Sequence, residues 1–162
     1  MNAILKCLRS LTCGRLGRGA RPRRIVVEER VKHMVAYSEE TPLNRIEWGD
    51  RRIGIITSGI SYVYAREAFP EASFLKLGMS FPLPRQKILE FAAGVERVVV
   101  IEELDPYLEE QICLMGVEVS HGKDAFPLLY EFDPDIVRAG GKAAGLVAEV
   151  PEAPKPVAME LP

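Results

Sequence analysis

The sequence predicts an α/β fold of three layers, a mainly parallel sheet with helices on both faces. Three observations carry that expectation. Short apolar runs recur at about 20-residue spacing, each gap between them holds apolar residues at helical spacing, and turn-forming residues separate the two patterns.

Taken in order, residues 1–24 form a basic head. Lys6, Arg9, Arg15, Arg18, Arg21, Arg23 and Arg24 meet no acidic residue there, and Gly14, Gly17, Gly19 and Pro22 argue against a stable helix. The head is expected to be disordered, although its Arg-rich, acid-free composition overlaps that of an organelle transit peptide. Residues 25–49 form a connecting helix and loop: Val27, Val31, Met34 and Val35 suit one helical stripe, and "TPLNRIEWGD" reads as a loop or tight turn. The α/β domain occupies 50–145. Its strand-like runs are "RIGIIT" (52–57), "SFLKL" (73–77), "RVVVI" (97–101) and a short "VEV" (117–119). Between them, Ile60, Val63, Tyr64 and Ala68 define the apolar face of a first helix, Ile88, Leu89 and Ala92 a second, and Leu108, Ile112 and Met115 a third. Residues 146–162, "LVAEVPEAPKPVAMELP", read as a Pro-rich linker.

Composition excludes several roles. A formal net charge of -2 conceals a body with 14 basic and 23 acidic groups beyond the head, which does not suit a nucleic-acid partner. No apolar run reaches the roughly 18 residues of a membrane span. Cys7, Cys13 and Cys113 form neither a CxxC pair nor an even disulfide framework, so a reduced, cytoplasmic setting is expected.

Few residues carry chemistry. The turn after the first strand, "IITSGISY", lacks both the G-x-G-x-x-G of a dinucleotide loop and the lysine of a mononucleotide loop. Thr57 or Ser58 is expected to cap the next helix, with an anion at that N-terminus as the alternative. Glu102 and Glu103 end the third strand, where open α/β sheets keep their ligand crevice. As neighbours in a strand they point to opposite faces and do not form an acid/base pair. Ser58, Gly59, Glu102 and Glu103 are therefore the candidate crevice. Asp105-Pro106 and Asp133-Pro134 each read as a capping aspartate followed by a proline at the first helical position. His33 and His121 lack a second ligand at metal spacing, and Cys113 reads as a packed thiol. No catalytic residue and no metal ligand is expected in this chain.

Together, "GIITSGISYVYAREAFPEASFLKLGMSFPLP", "GVERVVVIEELDPYLEEQI", "GKDAFP" and "DPDIVR" resemble the middle domain of the large subunit of indolepyruvate ferredoxin oxidoreductases. The resemblance runs from about residue 42, or alternatively from residue 28, to about residue 138 and implies a fold like the carboxyl-terminal domain of transketolase. It implies a parent enzyme that uses thiamine diphosphate, Mg²⁺ and iron–sulfur clusters, oxidises an aryl pyruvate and passes electrons to ferredoxin. None of the parent's cofactor motifs matches a position in this sequence. The chain is thus expected to be a fragment or split-gene part, inactive alone, whose partners are the remaining domains or subunits of that enzyme. The competing expectation is a free-standing binding module with a small-ligand crevice. A domain built to be covered should leave apolar residues at segment ends, and Phe81, Phe126, Leu128 and Tyr130 are the candidates, with folding back on their own helices as the alternative.

Overall fold

A computed structural model describes residues 13–146. The chain forms α1 (Cys13–Glu40), β1 (Asn44–Glu47), β2 (Asp50–Ser58), α2 (Ser61–Ala68), β3 (Ala72–Leu77), α3 (Arg85–Ala93), β4 (Val98–Ile101), α4 (Tyr107–Leu114), β5 (Val119–His121) and α5 (Pro134–Ala143). The strands lie in the order β1-β3-β2-β4-β5. Pairs β2/β3, β2/β4 and β4/β5 are parallel, and β1 runs antiparallel at the edge beside β3.

Residue alternation explains the three layers, because successive strand residues feed opposite faces of the sheet. Ile55, Phe74 and Val99 pack on one face with Ala65 and Ala68 of α2 and Val137 of α5. Their neighbours Ile56, Leu75 and Val100 pack on the other with Ile88 and Phe91 of α3 and Leu108 and Ile112 of α4. Both faces are covered, so the central strands read as continuous apolar runs, as parallel sheets require. Gly54 of β2 sits where a Cβ would meet the Val95 methyl carbons at 2.7 and 2.8 Å, so only glycine lets the segment before β4 lie this close.

Several expectations need correction. "TPLNRIEWGD" is not all loop: β1 pairs Asn44 with Leu77 and Glu47 with Phe74, a long-range partnership that a four-residue run with one aliphatic side chain does not announce. The last strand is displaced two residues from "VEV" to Val119–His121. That shift preserves which face each side chain takes, so alternation alone cannot detect it. On α2 the buried residues are Ser61, Ala65 and Ala68, while Ile60 and Val63 are exposed. A helix this short admits either stripe by periodicity, and small side chains let it approach the sheet closely. Finally, the helical backbone of α1 begins at Cys13 and passes through Pro22, inside the stretch expected to resist helix formation. Proline's φ is itself helical, so one lost hydrogen bond is borne within a helix anchored at its far end. Residues 1–12 and the segment 147–162 lie outside the described residues.

Candidate functional site

The order β3-β2-β4 makes the gap between β2 and β4 the switch point of the sheet: the chain leaves β2 through α2 on one face and leaves β4 through α4 on the other. Thr57 pairs with Ile101, so Ser58-Gly59 and Glu102-Glu103 end adjacent strands side by side. The fold thus brings together all four candidate residues.

Their chemistry differs from the expectation. Gly59 has φ +56°, and a Cβ there would meet nothing within 4 Å, so the glycine serves the left-handed turn and not the close approach of another group. Neither Thr57 nor Ser58 caps α2, which has Ile60 at its N-cap and no side-chain bond. Thr57 Oγ1 is instead buried without a hydrogen-bond partner.

Glu102 is buried, and its two carboxylate oxygens accept hydrogen bonds from Leu108 N (2.7 Å) and Glu109 N (2.9 Å). Glu102, not Asp105, therefore caps α4. The N-cap position is Pro106, which offers no side-chain acceptor, and the carboxylate arrives from the strand end. Burial holds the Glu102 carboxyl above the usual carboxylate range, against the pull of those two N–H donors. Glu103 turns to the other face and accepts from Phe132 N at 2.7 Å. The opposed directions expected for this pair are what the structure has. Asp133 caps α5 as expected, accepting from Ile136 N at 2.7 Å with Pro134 in the first turn.

Lys123 closes the edge from the β5 side. Its ammonium donates to the Glu102 and Pro127 carbonyl oxygens, its backbone N donates to Glu109 Oε2 at 2.8 Å, and desolvation lowers its pKa. Sequence reasoning missed this residue, because nothing in "SHGKDAF" distinguishes a lysine folded inward from a solvated one. His121 Nδ1 lies 2.7 Å from Asp124 Oδ2, within its own turn. Cys113 is exposed, not packed: Leu108 and Ile112 take the inward face of α4 and Cys113 falls one step round. Of the four apolar candidates at segment ends, Phe81, Leu128 and Tyr130 are exposed and Phe126 is in the core.

Among the described residues no group of three or more His, Cys, Asp or Glu is placed to hold a metal ion, and no helix is long and apolar enough to cross a membrane. The carboxylates at the switch point already accept backbone donors, so they do not fit the role of Mg²⁺-diphosphate ligands. Two cavities lie at the opposite, amino edge of the strands, one lined by Phe69, Pro70 and Leu146 and the other by Val95, Arg97 and Val117.

Comparison with known proteins gives one consistent result. The chain is 32% identical over 134 residues to the indolepyruvate oxidoreductase subunit IorA of Archaeoglobus fulgidus, covering 78% of this chain and 22% of that protein. It is 37% identical over 122 residues to IorA of Pyrococcus abyssi (68% and 19%), and 32% identical over 155 residues to IorA of Methanothermobacter marburgensis (84% and 25%). The chain therefore spans about a fifth to a quarter of the length of the curated relatives it matches. No family model and no solved structure matches it.

Proposed function

We infer that this chain, a member of the indolepyruvate oxidoreductase IorA family by the segment it shares, supplies a structural α/β domain to an enzyme that oxidises aryl pyruvates. The parent reaction is oxidative decarboxylation of the 2-oxoacid with electrons passed to ferredoxin, in the cytoplasm. Thiamine diphosphate, Mg²⁺ and iron–sulfur clusters belong to domains outside this one. The observation that carries the reading is the similarity to IorA from three organisms at 32 to 37% identity, over a length that leaves most of each relative unmatched. The engaged carboxylates at the switch point support a supporting role over a catalytic one. The direct test is co-expression of the full chain with the unmatched portions of the Archaeoglobus fulgidus relative, assayed for indolepyruvate oxidation with ferredoxin as acceptor. Activity that needs this chain is the expected result, and assembly without it overturns the reading.

A second reading, a free-standing module with a small-ligand crevice, keeps one observation in its favour. Thr57 Oγ1 is unpartnered beside the Ser58-Gly59 turn that leads into the uncapped start of α2. Binding of inorganic phosphate or a small carboxylic acid by the chain alone, lost in Thr57→Val, is what that reading requires.

A further inference from the structure

The carboxyl edge of the parallel strands is apolar at every connection that leaves it among the described residues. Ile60 follows β2, Phe81 follows β3, Leu104 follows β4, and Leu128, Leu129 and Tyr130 follow β5, each between 49% and 76% exposed. Hydrogen bonds and strand register hold these segments along the same edge. Tyr107 Oη donates to the Ser80 carbonyl at 3.3 Å, which ties the Phe81 turn to the start of α4, and the Glu103 bond to Phe132 N ties Leu104 to the segment bearing Tyr130. The pairing of Thr57 with Ile101 sets Ile60 and Leu104 on adjacent strand ends.

Two of these side chains stand on backbone that opposes them. Leu104 has φ +56° and Tyr130 φ +70°, the left-handed region that a branched or bulky residue rarely adopts. A chain selected only for its own stability would place glycine or asparagine there, and water would be its neighbour. Large apolar residues kept outward at strained positions point to a surface that something covers.

Charge says what. Asp105 beside Leu104, and Glu131 and Asp133 beyond Tyr130, are exposed. The basic groups nearby are engaged by the chain itself: Lys123 and Arg85 donate to backbone carbonyls, and the ammonium of Lys76, level with Thr57 in the sheet, lies 4.7 Å from the centre of the Tyr62 ring. A two-fold dimer through this edge would set the acidic residues against their own copies, so the charge opposes self-pairing. Resting on the role proposed above, we propose that the carboxyl edge is the docking face for another domain of the same oxidoreductase, one presenting an apolar centre ringed by Lys or Arg. That domain belongs to the portion, three-quarters or more of each relative, that this chain does not match.

The test uses the full chain co-expressed with the unmatched portions of the Archaeoglobus fulgidus relative, with complex formation read by sedimentation. The double variant Leu104→Asp, Tyr130→Asp should weaken association at least about tenfold. Asp tolerates left-handed backbone, so the fold should be kept. Val26→Asp, on the exposed side of α1, should leave association unchanged. Wild-type binding should also weaken as salt rises. If the double variant binds as the wild type does, the surface assignment falls; if the wild-type chain binds neither portion, the enzyme role itself falls. A wild-type dimer dispersed by the same variants would make a second copy the occupant and overturn the proposal. Independently of any partner, Leu104→Gly and Tyr130→Gly should each raise the Tm of the chain alone by about 2–4 °C, because strain is relieved. A drop would assign these side chains to the chain's own packing and equally overturn the proposal.

Discussion

A single carboxyl group shows how one residue can be pulled between burial and bonding. Glu102 takes two backbone N–H groups of α4 while buried, and burial sets the direction of its pKa. The folded chain holds that proton more tightly than the unfolded chain does. The group therefore favours folding below the unfolded glutamate pKa of about 4.3, and that contribution is lost as the pH rises through the higher folded value. Glu102→Gln removes the titration but keeps one acceptor. Relative to wild type, the urea midpoint of the variant should climb between pH 4 and pH 7; the opposite slope would mean that the N–H bonds, not burial, dominate. Asn44 is the corresponding neutral case. Its buried amide donates to the Ser38 carbonyl at 3.0 Å and accepts from Met79 N at 2.8 Å, joining α1, β1 and the turn after β3.

At the scale of elements, two helices depend on acids borrowed from elsewhere in the chain. α3 and α4 both have proline at the N-cap, Pro84 and Pro106, and neither proline can accept a hydrogen bond with its side chain. Glu102 serves α4, and Glu39 at the end of α1 serves α3, accepting from Gln86 N at 2.9 Å and Lys87 N at 3.1 Å. Helix α1 is thus joined to the body through its last turn. Two outcomes follow for chemical denaturation. Glu39→Ala should cost about 1 kcal/mol, the usual loss for a helix cap. Removing residues 1–24 by limited proteolysis should leave the midpoint unchanged, because Ile25, Val26 and Val27 beyond the cut are themselves exposed and bury little. A midpoint that falls by several degrees in a thermal scan would place the amino-terminal half of α1 in the folded unit.

For the whole molecule, the decisive feature is a switch point whose acidic groups are spent on the fold. An α/β sheet of this order offers a crevice at the carboxyl ends of β2 and β4. Here Glu102 and Glu103 lock α4 and the Phe132 segment onto those ends, with Lys123 across them. The chain alone should therefore bind thiamine diphosphate with Mg²⁺ no better than buffer in titration calorimetry, since that pair ordinarily takes one or two free protein carboxylates. Heat of binding at micromolar cofactor would restore the Ser58-Gly59 turn as a phosphate site and displace the structural role.

The sequence by itself determined the alternation of strands and helices, because apolar runs buried on both faces leave a local pattern that needs no partner to be read. It also determined the cap at Asp133, whose acceptor and donor lie three residues apart. The string from Gly54 to Pro84, with "GVERVVVIEELDPYLEEQI", "GKDAFP" and "DPDIVR" after it, carried the family resemblance, and relatives sharing 32 to 37% identity agree with it. What only the tertiary structure decided are the long-range matters: β1 as a strand, the rotation of α2 about its axis, and the diversion of Glu102 from a crevice to a cap. Each depends on which groups meet across the fold. A carboxylate beside two unsatisfied N–H donors will take them wherever the chain delivers it, and a one-residue rotation of a short helix costs the local pattern nothing. Periodicity records the need to bury a face, not the identity of the surface that covers it.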